Sequence, residues 1–260
     1  MNSRISAVRA QKSLHWHLVG RYLKKRYERA TLGYLWSLLE PALLTAVYYF
    51  IFSLVGRFGV EDYALFIMVG MLPWLWFAQA TNASTGALTA ERRLITTVYV
   101  PREVFPLSLT TGKGADLAMS LPVIPVLALV LDHPPNWYLA LLPLAMAIQW
   151  VLVAGVTLAL SALGAVFGDV ERGIRVAMRA MFYTTPIVYP FDRIPSEGFA
   201  TALEILNPMV GLIRVYRAGW FAESFPGWWV IGWSAAYALI VLAIGWRVFA
   251  RMERQVLKEL

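Results

Sequence analysis

The chain contains no cysteine and unusually little charge. Of its 260 residues, 15% are charged and 59% are hydrophobic, and the mean hydropathy is +0.58. Without cysteine there is no disulfide framework, thiolate metal site or cysteine nucleophile. The low charge excludes a soluble globular domain, in which charged residues make up about 25% of the sequence and polar side chains cover the core. We therefore predict a protein that crosses a membrane several times.

Motifs for nucleotide hydrolysis and common hydrolase chemistry are also absent. Gly112-Lys113 is followed by glycine where a phosphate-binding loop needs Ser or Thr. The sequence has no G-x-S-x-G and no H-E-x-x-H motif. Of the three histidines, His15 and His17 point to different faces of a helix, and His133 falls in a short turn beside Asp132. We predict a chain that is not an enzyme and has no metal or cofactor of its own.

Six apolar segments approach or exceed the length of about 20 residues that a helix needs to cross the bilayer. They are 34–56, 63–80, 107–131, 137–167, 174–190 and 228–249. Residues 191–227 are too charged to span, yet 199–221 are too apolar for a free loop. Helices that enter and leave on the same side, broken at Asn207-Pro208, fit this pattern. We predict an all-α fold with six transmembrane helices and a re-entrant segment at 191–227.

Residues 1–33 have the pattern of an amphipathic helix at the membrane surface. This segment contains eight basic residues and one acidic residue, Glu28. At helical spacing, one face is apolar and the opposite one polar. The apolar face consists of Trp16, Val19, Leu23, Tyr27 and Ala30, and the polar face contains His17, Arg21, Lys24 and Lys25. Such a helix lies in the headgroup layer of an anionic leaflet. We therefore divide the chain into an interface helix, 1–33, and a transmembrane domain, 34–260.

The distribution of basic residues predicts the orientation. With the N-terminus inside, the predicted cytoplasmic pieces hold 18 of the 23 lysines and arginines. The predicted outer pieces hold four, and Lys113 lies within a span. Because Lys and Arg concentrate in cytoplasmic loops, both termini are predicted to be cytoplasmic.

Glu40, Lys113 and Asp116 are ionisable residues within the predicted spans, where charge is costly and often functional. Glu40 precedes Pro41 and either lines a wet pathway or gate, or pairs with a basic residue of the interface helix. Lys113 and Asp116 are three residues apart and are predicted to pair on one helix face, with a proton relay as the alternative.

Aromatic residues cluster in the outer part of the first span and in the fifth. Their faces can stack on the C–H faces of sugars, and phenol hydroxyls can bond sugar hydroxyls. The alternative is that these rings only pack helices or face lipid. The candidate channel residues are Tyr48, Tyr49, Phe52, Phe182, Tyr183 and Tyr189.

Two predicted cytoplasmic loops combine charge with apolar anchors, at 91–106 and 168–172. Such loops can dock a partner protein, although a generic amphipathic loop has the same composition. The candidate docking residues are Glu91, Arg92, Arg93, Tyr99, Arg102, Glu103, Asp169, Glu171 and Arg172.

Several strings, in this order along the chain, together resemble the permease subunits of ABC-2-type polysaccharide exporters. They are Arg26-Tyr27, Leu32-Gly33-Tyr34-Leu35-Trp36, Glu40-Pro41, Gly70-Met71-Leu72-Pro73-Trp74, residues 99–106, 168–172 and 185–190, and Asn207-Pro208 with Arg217 downstream. The matches cover nearly the whole chain, which makes the resemblance specific.

This resemblance implies export of a lipid-linked polysaccharide, such as O-antigen, capsule, teichoic acid or galactan, across the cytoplasmic membrane. It also implies a homodimer around a central channel and two separate ATPase subunits that carry ATP and Mg. No nucleic-acid partner is implied, and the resemblance does not select the glycan. A permease for a drug or lipid and a membrane enzyme of glycan or lipid assembly remain the alternatives.

Overall fold

A computed structural model of the chain describes residues 10–28, 30–55, 60–97 and 100–259. Over these residues the fold is all-α, as predicted, and contains no β-strand. Its helices are α1 (Lys12–Tyr27), α2 (Trp36–Val55), α3 (Tyr63–Ser84), α4 (Arg92–Thr97), α5 (Val104–Ser120), α6 (Val123–Val130), α7 (Leu142–Val166), α8 (Val170–Thr184), α9 (Glu197–Leu206), α10 (Pro208–Ala218) and α11 (Trp228–Glu259).

Within the described residues, five helical segments are long and apolar enough to cross a membrane. They are Gly33–Ser53, Tyr63–Ser84, Val104–Val130, Trp137–Val166 and Trp228–Glu259. These correspond to the first, second, third, fourth and sixth predicted spans. The third is divided into α5 and α6 at Leu121-Pro122, where proline removes a backbone donor. The sequence therefore predicted five of the crossings in the right order.

The fifth predicted span, 174–190, is wrong as a continuous helix. Helix α8 has 15 residues, which rise about 22 Å, and it ends before Thr185-Pro186. Because the residue before a proline disfavours the helical conformation, residues 185–190 continue as irregular backbone. We call residues 185–190 the linker. The linker reaches the first turn of α3, where the Tyr63 hydroxyl donates a hydrogen bond to the backbone carbonyl of Val188.

Helices α9 and α10 form a bent pair at the place where a re-entrant segment was predicted. Their axes differ by 97° across the break, and together they are apolar enough for one span. Asn207 caps α10 because its side-chain oxygen accepts a hydrogen bond from the backbone N–H of Met209 at 3.1 Å. Pro208 follows at the first helical position, where its missing donor costs nothing. This bent geometry fits either a single broken span or a re-entrant pair of helices.

Helices α7 and α11 pack with their backbones in contact. A Cβ atom added to Gly155 would lie 2.6 Å from the Cα of Leu242, and one added to Gly245 would lie 2.8 Å from the carbonyl carbon of Gly155. Small residues permit such close approach between membrane helices, where packing drives association.

Helix α1 packs along α5 with most of the predicted apolar face, except Trp16. Leu18, Val19 and Tyr27 are buried, but Trp16 is 56% exposed. The predicted grouping of Trp16 with Val19 and Tyr27 is therefore partly wrong. Contacts with α5 select the buried face; for example, Ser108 Oγ lies 3.0 Å from His15 Nδ1. These contacts cannot be read from the periodicity of α1 alone.

Candidate functional site

Four helices meet at a cluster of charged and polar side chains. Arg26 of α1 donates from Nη2 to Glu40 of α2 at 2.7 Å and from Nη1 to Asp116 of α5 at 2.8 Å. The side-chain oxygen of Gln79 on α3 accepts from Arg26 at 2.7 Å and from Lys113 of α5 at 3.2 Å. We call these five residues the inner cluster. It joins the surface helix to three membrane-crossing helices.

The inner cluster tests the predictions for its acidic residues. Glu40 pairs with a basic residue of the interface helix, as one of the two interpretations proposed. The Lys113–Asp116 pair is confirmed at 3.8 Å, but Arg26 lies closer to Asp116 than Lys113 does. Tyr27 also donates to Asp116 at 3.0 Å. Burial and then the Asp116 carboxylate raise the pKa of Tyr27 to about 12, so the phenol keeps its proton at neutral pH.

A cavity of about 740 Å³ lies beside the inner cluster. One wall consists of Arg26, Glu40, Gln79 and Lys113 together with residues of α3. The opposite wall is the charged part of α8 and carries Glu171, Arg175, Met178 and Arg179. We call this the inner cavity. It is a wide, open groove rather than an enclosed cavity.

Five of the six candidate channel aromatics come together between α2, α8 and the linker. The Tyr48 ring lies 6.3 Å from Phe52 and 5.3 Å from Phe182, measured between centroids. Phe182 contacts Tyr183 at 5.2 Å, and the Tyr189 hydroxyl donates to the carbonyl of Tyr183 at 3.1 Å. We call these five residues the aromatic wall.

The aromatic side chains differ in their exposure. Phe182 is 8% exposed and packs against Trp74, whereas Tyr183 is 67% exposed. Tyr48 and Phe52 are half-buried. Tyr49 lies apart from the wall and contacts Tyr63 of α3 at 6.1 Å. Tyr183 is therefore the member of the aromatic wall with the most surface to offer a substrate.

Among the residues that the structure describes, Arg217 of α10 is the largest fully buried side chain, and it contacts the linker. Its Nε donates to the carbonyl of Phe66 at 3.2 Å, Nη1 to the carbonyl of Pro186 at 2.5 Å, and Nη2 to the carbonyl of Ile187. The guanidinium carbon also lies 3.6 Å from the centre of the Phe66 ring. Buried irregular backbone needs hydrogen-bond partners from protein or water, and Arg217 donates to two carbonyls of the linker.

Other side chains complete the support of the linker. The amide nitrogen of Asn207 donates to the Thr185 hydroxyl at 2.8 Å, and Tyr63 donates to Val188. Gly70 leaves the space that Arg217 occupies, since a Cβ at Gly70 would collide with the guanidinium. Sequence reasoning missed this role and counted Arg217 as an outer loop residue. Two arginines, Arg214 and Arg217, occur among the apolar residues 208–221, and the sequence alone does not tell which of them is buried.

His133 is held near the same end of α3. Its Nδ1 lies 2.7 Å from an Asp62 carboxylate oxygen, and its Nε2 lies 2.8 Å from the carbonyl of Trp220. The neighbouring Asp132 is not its partner. Burial opposes the charged ring, but the hydrogen bonds to Trp220 and Asp62 outweigh it and raise the pKa of His133.

The candidate docking residues around α4 divide into internal and exposed sets. Glu91 pairs with Arg21 of α1, and Arg102 donates to Glu253 of α11 at 2.9 Å. Glu103 is 3% exposed and therefore unavailable to a partner in this conformation. The side chains of Arg92 and Arg93 are exposed. Tyr99 lies outside the described residues.

The turn before α8 is open to solvent. The side chains of Asp169, Glu171 and Arg172 are 97%, 59% and 81% exposed, respectively. Together with Arg92 and Arg93 they form the accessible part of the predicted docking surface.

Comparison with known proteins identifies the family, although no family model matches the chain. The chain is 32% identical over 209 residues to the O-antigen export system permease protein RfbA of Myxococcus xanthus, which covers 80% of each chain. It is 36% identical over 202 residues to the RfbA protein of Klebsiella pneumoniae, 77% of each chain. The chain belongs to the ABC-2-type polysaccharide export permeases.

More distant members of the family align over a larger part of the chain. The polysialic acid transport protein KpsM of Escherichia coli is 22% identical over 248 residues, which are 91% of this chain and 92% of that protein. The resemblance predicted from the sequence is confirmed, and the chain is a permease subunit in the inner membrane.

Proposed function

We propose that this permease moves a lipid-linked polysaccharide outward through a pathway between two copies of the chain, powered by a separate ATPase that carries ATP and Mg. The observation that carries this proposal is the aromatic wall on α2 and α8. A sliding sugar chain needs many weak, interchangeable contacts, and each aromatic face supplies about 1 kcal/mol. A two-fold axis would double these rings around one pathway.

The two relatives named RfbA support O-antigen as the cargo class, while KpsM supports a capsular polymer as the alternative. The test is deletion of the gene, followed by determination of whether the lipid-linked glycan stays on the cytoplasmic side. Complementation with the wild-type chain should restore surface glycan. Normal surface glycan in the deletion strain would refute the proposal.

The aromatic wall is tested separately. Replacing Tyr48 and Tyr183 together by alanine should reduce surface polysaccharide at unchanged protein level, whereas replacing both by phenylalanine should leave export close to normal. Tyr49→Ala is the matched control, because Tyr49 lies apart from the wall. Normal export by the double alanine variant would show that these rings only pack helices and do not contact the substrate.

For the topology, we propose six crossings with both termini in the cytoplasm, α8 plus the linker as the fifth crossing, and 191–227 re-entrant from the outer side. Because the chain lacks cysteine, single cysteines can be introduced without background. A membrane-impermeant maleimide added to spheroplasts should label Glu223→Cys and spare Arg254→Cys until the cells are permeabilised. The reverse pattern would invert the orientation.

For the ATPase, we propose docking on the exposed residues Arg92, Arg93, Asp169, Glu171 and Arg172. A double change, Arg92→Glu with Arg172→Glu, should release the ATPase from the purified complex, because it reverses charge on both parts of the surface. Arg254→Glu with Lys258→Glu, both exposed on the C-terminal end of α11, is the charge-matched control. Retention of the ATPase by the double variant would exclude this surface.

A further inference from the structure

Helix α8 carries a line of exposed side chains along one face. Arg172, Arg179 and Tyr183 are spaced by seven and four residues, and Arg175 lies beside them. At 3.6 residues per turn, this spacing places them on one stripe. The stripe is basic where it borders the inner cavity and aromatic where it reaches the aromatic wall.

Arg179 is the exceptional residue of this stripe. It lies ten residues from Asp169, or about 15 Å along the helix, at the level of the inner cluster. Within the described parts of the chain, it forms no ion pair with an acidic residue. A cation that lies among apolar helices and has no acidic partner can bind an anion, and such a residue indicates a functional site. Arg179 faces the inner cavity.

The charges around the inner cavity leave a positive excess. Arg26 is paired with Glu40 and Asp116, and Asp116 also pairs with Lys113. Arg175 is paired with Glu171. The inner cavity and the inner cluster together contain four basic and three acidic side chains, and the excess positive charge belongs to Arg179. A cavity with this balance attracts an anion.

We propose that Arg179, with Arg175 beside it and Lys113 on the opposite wall, binds the phosphate group of the lipid-anchored substrate before translocation. This inference rests on the proposed function and adds an entry site to it. The guanidinium group suits a phosphate because it donates two parallel hydrogen bonds to the oxygens. The lipid tail remains in the inner leaflet, and the sugar next to the phosphate lies toward Tyr183, one turn farther along α8.

The site is tested with farnesyl diphosphate as a probe and the purified full-length chain in phosphatidylcholine nanodiscs. We expect the wild-type chain to bind farnesyl diphosphate and not farnesol, which has the same tail without phosphate. Arg179→Gln should weaken binding at least about tenfold, and Arg179→Lys should weaken it less because the charge remains. Arg251→Gln, on the exposed end of α11, should leave binding unchanged. Equal affinity of Arg179→Gln and wild type would overturn the proposal.

Phospholipid is the other source of a phosphate group at this depth. Adding phosphatidylglycerol to the nanodiscs in tenfold excess over the probe should leave farnesyl diphosphate bound. Displacement of the probe would assign the cavity to bulk lipid and overturn its assignment to the substrate.

Export in cells separates this inference from the proposed function. If Arg179→Gln exports glycan like wild type while the deletion strain exports none, the entry site is refuted and the permease function remains. If the deletion strain itself exports normally, the proposed function fails. We expect Arg179→Gln to reduce surface glycan at normal protein level.

Discussion

Replacing Arg217 by methionine tests whether this side chain holds the linker in place. Methionine has similar length and no donors, so the linker carbonyls of Pro186 and Ile187 lose their partner, and the Phe66 carbonyl loses a hydrogen bond additional to that of its helix. A buried polar group without a partner costs about 1–3 kcal/mol. Part of this loss is recovered because a buried charge is also removed, and we expect the free energy of unfolding to fall by about 3 kcal/mol.

The assay is unfolding of the detergent-purified chain by a denaturing detergent, followed by circular dichroism. Arg251→Met, an exposed arginine changed in the same way, should alter stability by less than about 0.5 kcal/mol. The accessibility of the linker itself can be measured with Ile187→Cys, because the Ile187 side chain is 0% exposed. Maleimide labelling of this cysteine should be at least about tenfold faster when Arg217 is methionine. Unchanged stability and unchanged labelling would refute the role of Arg217.

Three further predictions concern other contacts. Gly245→Ala should destabilise the chain by about 1–3 kcal/mol because its Cβ would overlap Gly155, whereas Gly232→Ala in the same helix meets no atom within 4 Å and should be neutral or stabilising. Arg26→Gln should lower the free energy of unfolding by about 3 kcal/mol, since it leaves the part-buried Glu40 carboxylate without its cation and removes the nearer of the two cations from Asp116; limited proteolysis should then cut near α1 first. Hydrogen bonds to the Trp220 carbonyl and the Asp62 carboxylate raise the pKa of the folded-state His133 imidazole, so their stabilisation is full below pH ~6.5 and is lost as pH rises through the folded-state pKa. The wild type should therefore exceed His133→Gln in melting temperature most in mildly acidic buffer, and an equal difference in acidic and alkaline buffer would contradict this.

The five long apolar helices and their order could be predicted because the bilayer imposes local requirements. About 20 apolar residues must occur together to cross it, and Asn207-Pro208 marks a break by its own chemistry. The fifth crossing was overestimated because hydropathy does not distinguish helix from buried irregular backbone. Pro186 indicated the end of the helix, but only the donors of Arg217, Asn207 and Tyr63 show how residues 185–190 are accommodated.

Contacts between side chains that are distant in sequence depend on the tertiary structure. The sequence predicts a basic partner in α1 for Glu40, because few cations lie near Glu40 along the chain. The choice of Arg26 among the basic residues of α1 depends on how α1 packs on α5. Asp116 lies 90 positions from Arg26, and no pattern within either helix encodes their contact. Arg102 and Glu103 have the composition of a docking loop, yet folding directs one to Glu253 and buries the other. Composition and periodicity describe one segment at a time, whereas burial and pairing depend on the segment that packs against it.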